Sequence, residues 1–298
     1  MRCAAFALGL GLSACIPELP ILDDPCAAFP DPGLFELTVD TPDRGKRRPL
    51  VYVPEGSGPR HLVFMLHGAG QGPRDMEAIS GWSALADREG FAVVYPGGVG
   101  IIGRIWNATD KNPYTNADDV SFLDQTAALA SDRLCGADVL AVGFSNGGSM
   151  VHRWGCESIW PSAIVPTEGG YLVEDCPTGP VETRIYHGLD DATVPYDGAS
   201  RDGVVLPSIG ALTAIKRGDN GCTTDPPTIA ENGTASCATY ACETPLVVCT
   251  LADWSHQYPG GANTSNLPFD ATEDSWAWFV ENRPADAPPG GSSERRLP

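Results

Sequence analysis

The sequence predicts an α/β protein built on a mostly parallel sheet with helices on both faces, and three observations carry that expectation. Short apolar runs recur: "LVFML" at 62–66, "FAVVYP" at 91–96, "VLAVGF" at 139–144, "AIVP" at 163–166 and "RIYHG" at 184–188. Each reads as a strand buried on both faces. Segments of helical period separate several of them: "RDMEAISGWSALADREG" before the second run, and "DDVSFLDQTAALASDRL" before the third with Val120, Leu123, Ala127 and Leu134 on one stripe. Strand and helix in alternation argue for a parallel sheet covered on both sides.

Taken in order, residues 1–14 carry one Arg, an apolar run too short to span a bilayer and then small residues, which is the layout of an export signal. The stretch "LSAC" resembles the bacterial lipoprotein signal, in which the cysteine, here Cys15, becomes the lipidated N-terminus; simple secretion stays open beside it. Residues 15–33, rich in Pro and acids, read as a tether, 34–282 as one domain, and the Pro/Gly/Ser-rich residues 283–298 as a disordered tail. Within the domain, "SNGGSMVHRWGCE" is the helix after the third strand. Residues 219–250 break the alternation and read as a disulfide-pinned insertion, after which "PLVVCTL" restores a strand. The last helix is expected over 271–282, with Trp276, Phe279 and Val280 toward the sheet.

The 38 acidic against 19 basic residues give a net charge of -19, which repels phosphate backbones and anionic lipid and so excludes nucleic acid as a partner. Membrane contact is expected only through a lipid on Cys15. Besides Cys3 and Cys15, Cys26, Cys135, Cys156, Cys176, Cys222, Cys237, Cys242 and Cys249 form an even set, read in an exported chain as a disulfide framework. Spacing suggests Cys156 with Cys176 and pairing within the cluster at 222, 237, 242 and 249. Only Cys237 and Cys242 approach the spacing of a zinc pair, and no second such pair accompanies them, so no metal is expected.

The stretch "AVGFSNGGSM" holds Ser145 between Gly143 and Gly147, directly after an apolar strand and before a helical segment. Strand, sharp turn and helix resemble the nucleophile elbow of an α/β-hydrolase sheet, which lifts a serine oxygen clear of the strand ends. A Gly-rich turn with a solvent-facing serine is the bland alternative. A serine hydroxyl needs a base, and the base an acid, and on this sheet acid and then histidine follow the serine in chain order.

That order prunes the five histidines. His61 and His67 precede the serine, His152 lies on the helix that follows it, and His187 precedes any well-placed acid, which leaves His256 in the loop-like "ADWSHQYPGG". For the acid, "YHGLDDATVPY" offers Asp190 and Asp191 past a strand end, and the residues alone do not separate them. In "MLHGAG", at the end of the first strong strand, glycines expose the backbone; the amides of Ala69 and Asn146 are assigned as oxyanion donors and His67 as structural.

Taken together, "LHGAG", "ALADREGFAVVYPGG", "DDVSFL", "GFSNGGSM", "HGLDDATVPY" and "SHQYPGG" resemble the secreted polyhydroxybutyrate depolymerase and feruloyl esterase family of α/β-hydrolases over about residues 47–282. The resemblance implies Ser145 as nucleophile, His256 as base and, from the family's acid motif, Asp191 rather than Asp190. It implies two-step ester hydrolysis without a cofactor. Two positions depart from the family's usual residues: Ala69 where cysteine is common, and Tyr258 where tryptophan is common, the second bearing on pocket shape. Trp106, in "RIWNATD", is taken as a wall of the acyl pocket, with plain packing as the alternative.

The expected substrate is a feruloyl, acetyl or similar ester, including esters carried on polysaccharide. The alternatives are a polyhydroxyalkanoate depolymerase and, in another class, a surface binding lipoprotein that keeps the fold without turnover. No separate polymer-binding domain is evident, which favours soluble or small oligomeric esters. Asn107, Asn232 and Asn263 match the N-glycosylation pattern and are read as incidental.

Overall fold

A computed structural model describes residues 16–26, 31–58, 60–101, 103–109, 112–170, 176–201, 204–265 and 268–283. The expected export signal, Cys15, residues 27–30 of the tether and residues 284–298 of the tail lie outside them. Among the described residues no helix is long and apolar enough to cross a membrane.

In chain order the elements are β1 (Gly33–Glu36), β2 (Val39–Thr41), β3 (Gly45–Arg47), β4 (Leu50–Val53), β5 (Arg60–Leu66), α1 (Pro73–Ile79), α2 (Trp82–Glu89), β6 (Ala92–Tyr95), α3 (Asp119–Leu134) and β7 (Gly136–Phe144). There follow α4 (Asn146–Glu157), β8 (Pro161–Thr167), β9 (Glu182–Gly188), β10 (Ala199–Arg201), β11 (Val204–Leu206), α5 (Ile209–Asp219), β12 (Thr228–Asn232), β13 (Ala235–Tyr240), β14 (Leu246–Leu251) and α6 (Ala271–Glu281). Ten strands form one sheet in the order β1-β4-β6-β5-β7-β8-β9-β14-β13-β12. Its six central strands, β6 to β14, run parallel, and antiparallel pairs extend it at both ends.

Both faces of the centre are buried, and β5 shows why. Its Val63 and Met65 join a core with Trp82 and Leu85 of α2 and Trp276 and Phe279 of α6, while Leu62, Phe64 and Leu66 join the opposite core with Phe122 and Leu123 of α3 and Met150 and Trp154 of α4. Alternation along the strand thus feeds two layers of helix. Each large side chain so buried contributes about 1.5–3 kcal/mol of transfer free energy. A third cluster packs Ile209 and Leu212 of α5 on Ile185, Leu246 and Val248.

Several expectations need correction. The helix expected over 74–90 is two helices, because Gly81 adopts φ 78° and its Cα side lies against Gly261, where an added Cβ would sit 2.9 Å from the Gly261 Cα. The region 219–250 is pinned by Cys222–Cys242 and Cys237–Cys249 as expected, and its β12–β13 hairpin extends the main sheet. The tether is docked where it is described: Leu19 is buried, its amide donates to Glu36 O, and its carbonyl accepts from Arg133 Nη1. Val280 is 38% exposed while Trp276, Trp278 and Phe279 are buried, since Val280 falls roughly 40° past Trp276, beyond the edge of the buried arc.

The eight cysteines in the described residues are all paired. Cys156–Cys176 and the two bridges within the late cluster, Cys222–Cys242 and Cys237–Cys249, match expectation, and Cys26–Cys135 ties the tether to the turn after α3.

Candidate active site

β7 delivers Ser145 to the carboxyl-end edge of the sheet, and α4 begins at the next residue. Ser145 has φ 54° and ψ -118°, a conformation that costs a non-glycine residue on the order of 1–3 kcal/mol and persists only where the surroundings hold it. Here its amide donates to Thr167 O at 2.9 Å and its carbonyl accepts from the Ser149 amide at 3.0 Å. The bend closes tightly enough that a Cβ on Gly143 would lie 2.1 Å from Gly147 O, so glycine is required there.

Three side chains from separate loops meet at this turn. Ser145 Oγ lies 2.9 Å from His256 Nε2, and His256 Nδ1 lies 2.6 Å from Asp191 Oδ2. Asp191 follows β9 and is buried; its other oxygen accepts the amides of Thr193 at 2.7 Å and Val194 at 2.8 Å. Burial alone would raise its pKa, but hydrogen bonds from His256, Val194 and Glu168 outweigh that and bring it down to about 2. Asp190, which the residues alone did not separate from Asp191, is exposed, and its amide donates to Trp254 O, joining the acid loop to the histidine loop. The His256 ring packs on Phe144 with centroids 5.1 Å apart.

The loop at residues 68–71 has one amide to spare. Gly68 N–H donates to Gln71 Oε1, Gly70 N–H to Arg104 O and Gln71 N–H to Gly68 O, which leaves Ala69 N–H without a partner among the described residues. Ala69 is exposed. Asn146 opens α4, where helix geometry leaves the first amides unpaired. Its side chain does a separate job: Oδ1 accepts the Trp106 amide at 2.7 Å and Nδ2 donates to Trp106 O at 3.2 Å.

Trp106 differs from expectation. It is fully buried and its indole N–H donates to His67 O at 2.9 Å, so the ring packs beneath the loop instead of forming an open pocket wall. His67 is structural as expected: Nδ1 donates to Gly68 O, Nε2 accepts from Gly98 N–H, and burial lowers it to about 4, leaving it neutral. Tyr258 is also core, its hydroxyl bonded to Trp82 Nε1 and Thr272 Oγ1, so this departure from the family pattern acts on packing.

The remaining histidines are occupied otherwise. His187 is buried with Nε2 on Val194 O at 2.8 Å, and His152 is buried with neither ring nitrogen hydrogen-bonded among the described residues. Glu168, which the sequence reading passed over, lies against Asp191 at the end of β8 with 0% exposure. Its signal was a lone acid closing the apolar run "AIVPT" before two glycines. Glu168, Asp191 and His256 present atoms within 4.8 Å of one another, but Asp191 and His256 are bonded to each other and Glu168 to the Gly188 amide.

A central parallel sheet, helices on both faces and a strained serine at the strand-to-helix turn define the α/β-hydrolase fold. No protein-family model matches the chain. Over 172 residues it is 37% identical to "Putative esterase NocK" of Nocardia uniformis subsp. tsuyamanensis, a stretch covering 53% of this chain and 47% of that protein. The chain therefore spans about half the length of the curated relative it matches. Among solved structures, an acetyl xylan esterase from Aspergillus awamori superposes with a TM-score of 0.59 at 14% identity, covering 83% of this chain and 99% of that one. A Pyrococcus furiosus esterase superposes with a TM-score of 0.52 at 12% identity, covering 84% and 93%. At these identities the likeness concerns the fold.

Proposed function

We propose that this protein is a carboxylic ester hydrolase working through Ser145, His256 and Asp191 by way of an acyl-enzyme. The observation that carries the reading is the unbroken hydrogen-bonded line from Ser145 Oγ through His256 to Asp191. The identity to a protein named as an esterase supports the same class.

In the first step Ser145 Oγ attacks the ester carbonyl carbon while its proton passes to His256 Nε2. Asp191 holds the Nδ1 proton, keeping the ring in the tautomer that accepts, and stabilises the imidazolium. The carbonyl oxygen becomes an oxyanion received by the Ala69 and Asn146 amides, each worth on the order of 3 kcal/mol in the transition state. His256 returns the proton to the departing alkoxide, the C–O bond breaks, and an acyl-serine remains. Water, deprotonated by the same imidazole, then releases the acid and restores the serine.

The substrate class proposed is a small acyl ester, feruloyl or acetyl, free or carried on polysaccharide, following the sequence resemblance. Hydrolysis rates on methyl ferulate, p-nitrophenyl acetate and 3-hydroxybutyrate oligomers test it; a preference for the oligomers would move the protein to polyester depolymerisation. Labelling by an organophosphonate at Ser145, abolished in Ser145→Ala, tests the mechanism, and an unlabelled wild type would leave a binding protein of the same fold.

The four bridges of the described residues support export to an oxidising compartment as part of this proposal. Mass spectrometry of the N-terminal peptide from producing cells distinguishes a lipid on Cys15 from simple secretion.

A further inference from the structure

Two carboxyl groups sit back to back behind His256. Glu168 follows β8 as Asp191 follows β9, and the two buried carboxyl groups present oxygens within 4.8 Å of one another. Glu168 adopts φ 50°, in the left-handed region, with its amide on Tyr186 O at 3.0 Å, so the backbone is held in a costly conformation that turns this residue inward. Its carboxyl accepts the Gly188 amide, at 3.0 Å to Oε1 and 3.1 Å to Oε2.

Two buried carboxyl groups this close disfavour carrying two negative charges, so one proton is held at the pair, and the surroundings decide its owner. Asp191 receives three donors, the amides of Thr193 and Val194 and Nδ1 of His256, whereas Glu168 receives the Gly188 amide. The titratable groups facing Glu168 are Asp191, His187 and, beyond Asp191, His256. His187 Nε2 is 3.5 Å from Glu168 Oε2, but its proton goes to Val194 O, and burial keeps the ring neutral. Among the described residues no cation in reach offsets a second negative charge at this buried position, and burial together with Asp191 raises Glu168 well above the usual carboxylate range.

We propose that Glu168 is a neutral carboxylic acid that donates a hydrogen bond to Asp191 and thereby serves as a positioning residue for the Asp191–His256 pair. A buried acid kept protonated so that it can donate is a known use of an apolar site. Here the bond orients the Asp191 carboxylate toward Nδ1 and withdraws part of its charge, which moderates its hold on the imidazolium. The inference rests on the triad proposed above, since it describes what lies behind that triad.

The test compares wild type, Glu168→Gln and Glu168→Leu as full chains, reading the pH profile of kcat/KM on p-nitrophenyl acetate, organophosphonate labelling and the carboxylic acid C=O stretch in wild-type-minus-variant infrared spectra at pH 7. Glutamine is neutral, donates to Asp191 through its NH2 and accepts from Gly188, so it is expected to keep activity and leave the acid limb in place. Leucine removes the donor; kcat is expected to fall about tenfold, the worth of one hydrogen bond to a charged group. The acid limb is expected to move to higher pH, because an unrelieved Asp191 holds the imidazolium more tightly. The acid band is expected in wild type and absent from Glu168→Gln.

If Glu168→Gln lowers the acid limb by about one pH unit, a negative charge has been removed and the proposal is overturned. It is equally overturned if the infrared band is missing, or if a folded Glu168→Leu keeps both rate and limb. Should Glu168→Leu not fold, Glu168→Gln and the infrared band decide the matter. A wild type that neither labels nor hydrolyses would sink the esterase reading instead, while the band would still report the protonation state of Glu168.

Discussion

The Asn146 side chain brackets the backbone of Trp106, accepting its amide proton at 2.7 Å and donating to its carbonyl at 3.2 Å. This pair of bonds ties the residue after the serine to the loop whose Arg104 carbonyl holds the Gly70 amide. The serine turn and the loop at 68–71 are therefore one mechanical unit. Asn146→Ala keeps the main-chain amide but removes the bracket, and is expected to cost about 2 kcal/mol of stability for two buried hydrogen bonds. A fall in kcat/KM of about tenfold is expected as the loop loosens. Thermal unfolding and steady-state kinetics read the two effects separately.

The two neighbouring aspartates should part sharply. Asp191→Asn disturbs the partner of His256 Nδ1 and is expected to lower kcat by roughly 10³–10⁴, as loss of the orienting acid does in triads of this kind. Asp190→Asn, at an exposed position, is expected to leave kcat within about twofold, because surface changes away from the reacting groups carry little energy. Equal losses in both variants would contradict the geometry.

Acid should weaken the fold well before it protonates Asp191. His67 and His152 are buried neutral, lowered from 6.5 to about 4 and about 3 by burial, with Lys216 adding to the effect on His152. The unfolded chain binds protons at these sites first, so their contribution is complete above pH 6.5 and is lost as pH falls toward the folded-state values. Asp191, depressed from 3.8 to about 2, stabilises above 3.8 and loses its effect only as pH drops toward 2. These two histidines are therefore expected to pull the midpoint of urea unfolding down between pH 6.5 and 4, while Glu168, raised by burial and Asp191, pulls the other way over the upper part of that range. His152→Leu removes an imidazole with neither nitrogen bonded among the described residues and is expected to raise stability by about 1–2 kcal/mol while flattening that decline. Denaturation curves of both proteins at pH 7 and pH 5 check it.

Loop length ranks the bridges. Cys26–Cys135 closes a span of 109 residues and Cys237–Cys249 one of 12, so by chain entropy the former constrains the unfolded state by about 2 kcal/mol more. The Cys26→Ser/Cys135→Ser double variant should accordingly show the lower urea midpoint of the two double-serine variants. It should also free residues 16–26 to proteolysis, detectable by limited digestion.

Much of the architecture was legible because it is written in short-range patterns. The strands at 62–66, 139–144 and 184–188 and the helix at 118–134 follow from apolar runs and helical period, and Ser145 from the glycines around it. The antiparallel additions at the sheet's two ends were harder to read. β12 is exposed along its whole length, and β1 to β4 are three or four residues each, so neither carries an apolar period long enough to register. Glu168 escaped notice because an acid after a strand is usually solvated, and nothing in "TEGG" says that this one turns inward.

By itself the sequence determined the alternation of strand and helix and the bend at Ser145, since each depends on residues within one or two turns of chain. The family resemblance implies Asp191 over Asp190 and the structure brings Asp191 to His256, but only the tertiary structure decided that Trp106 is sealed beneath the loop at 68–71, that Cys26 pairs with Cys135, and that Glu168 backs Asp191. Those outcomes depend on strand order and register across the sheet, which bring together groups separated by tens of residues and leave no local trace in the chain.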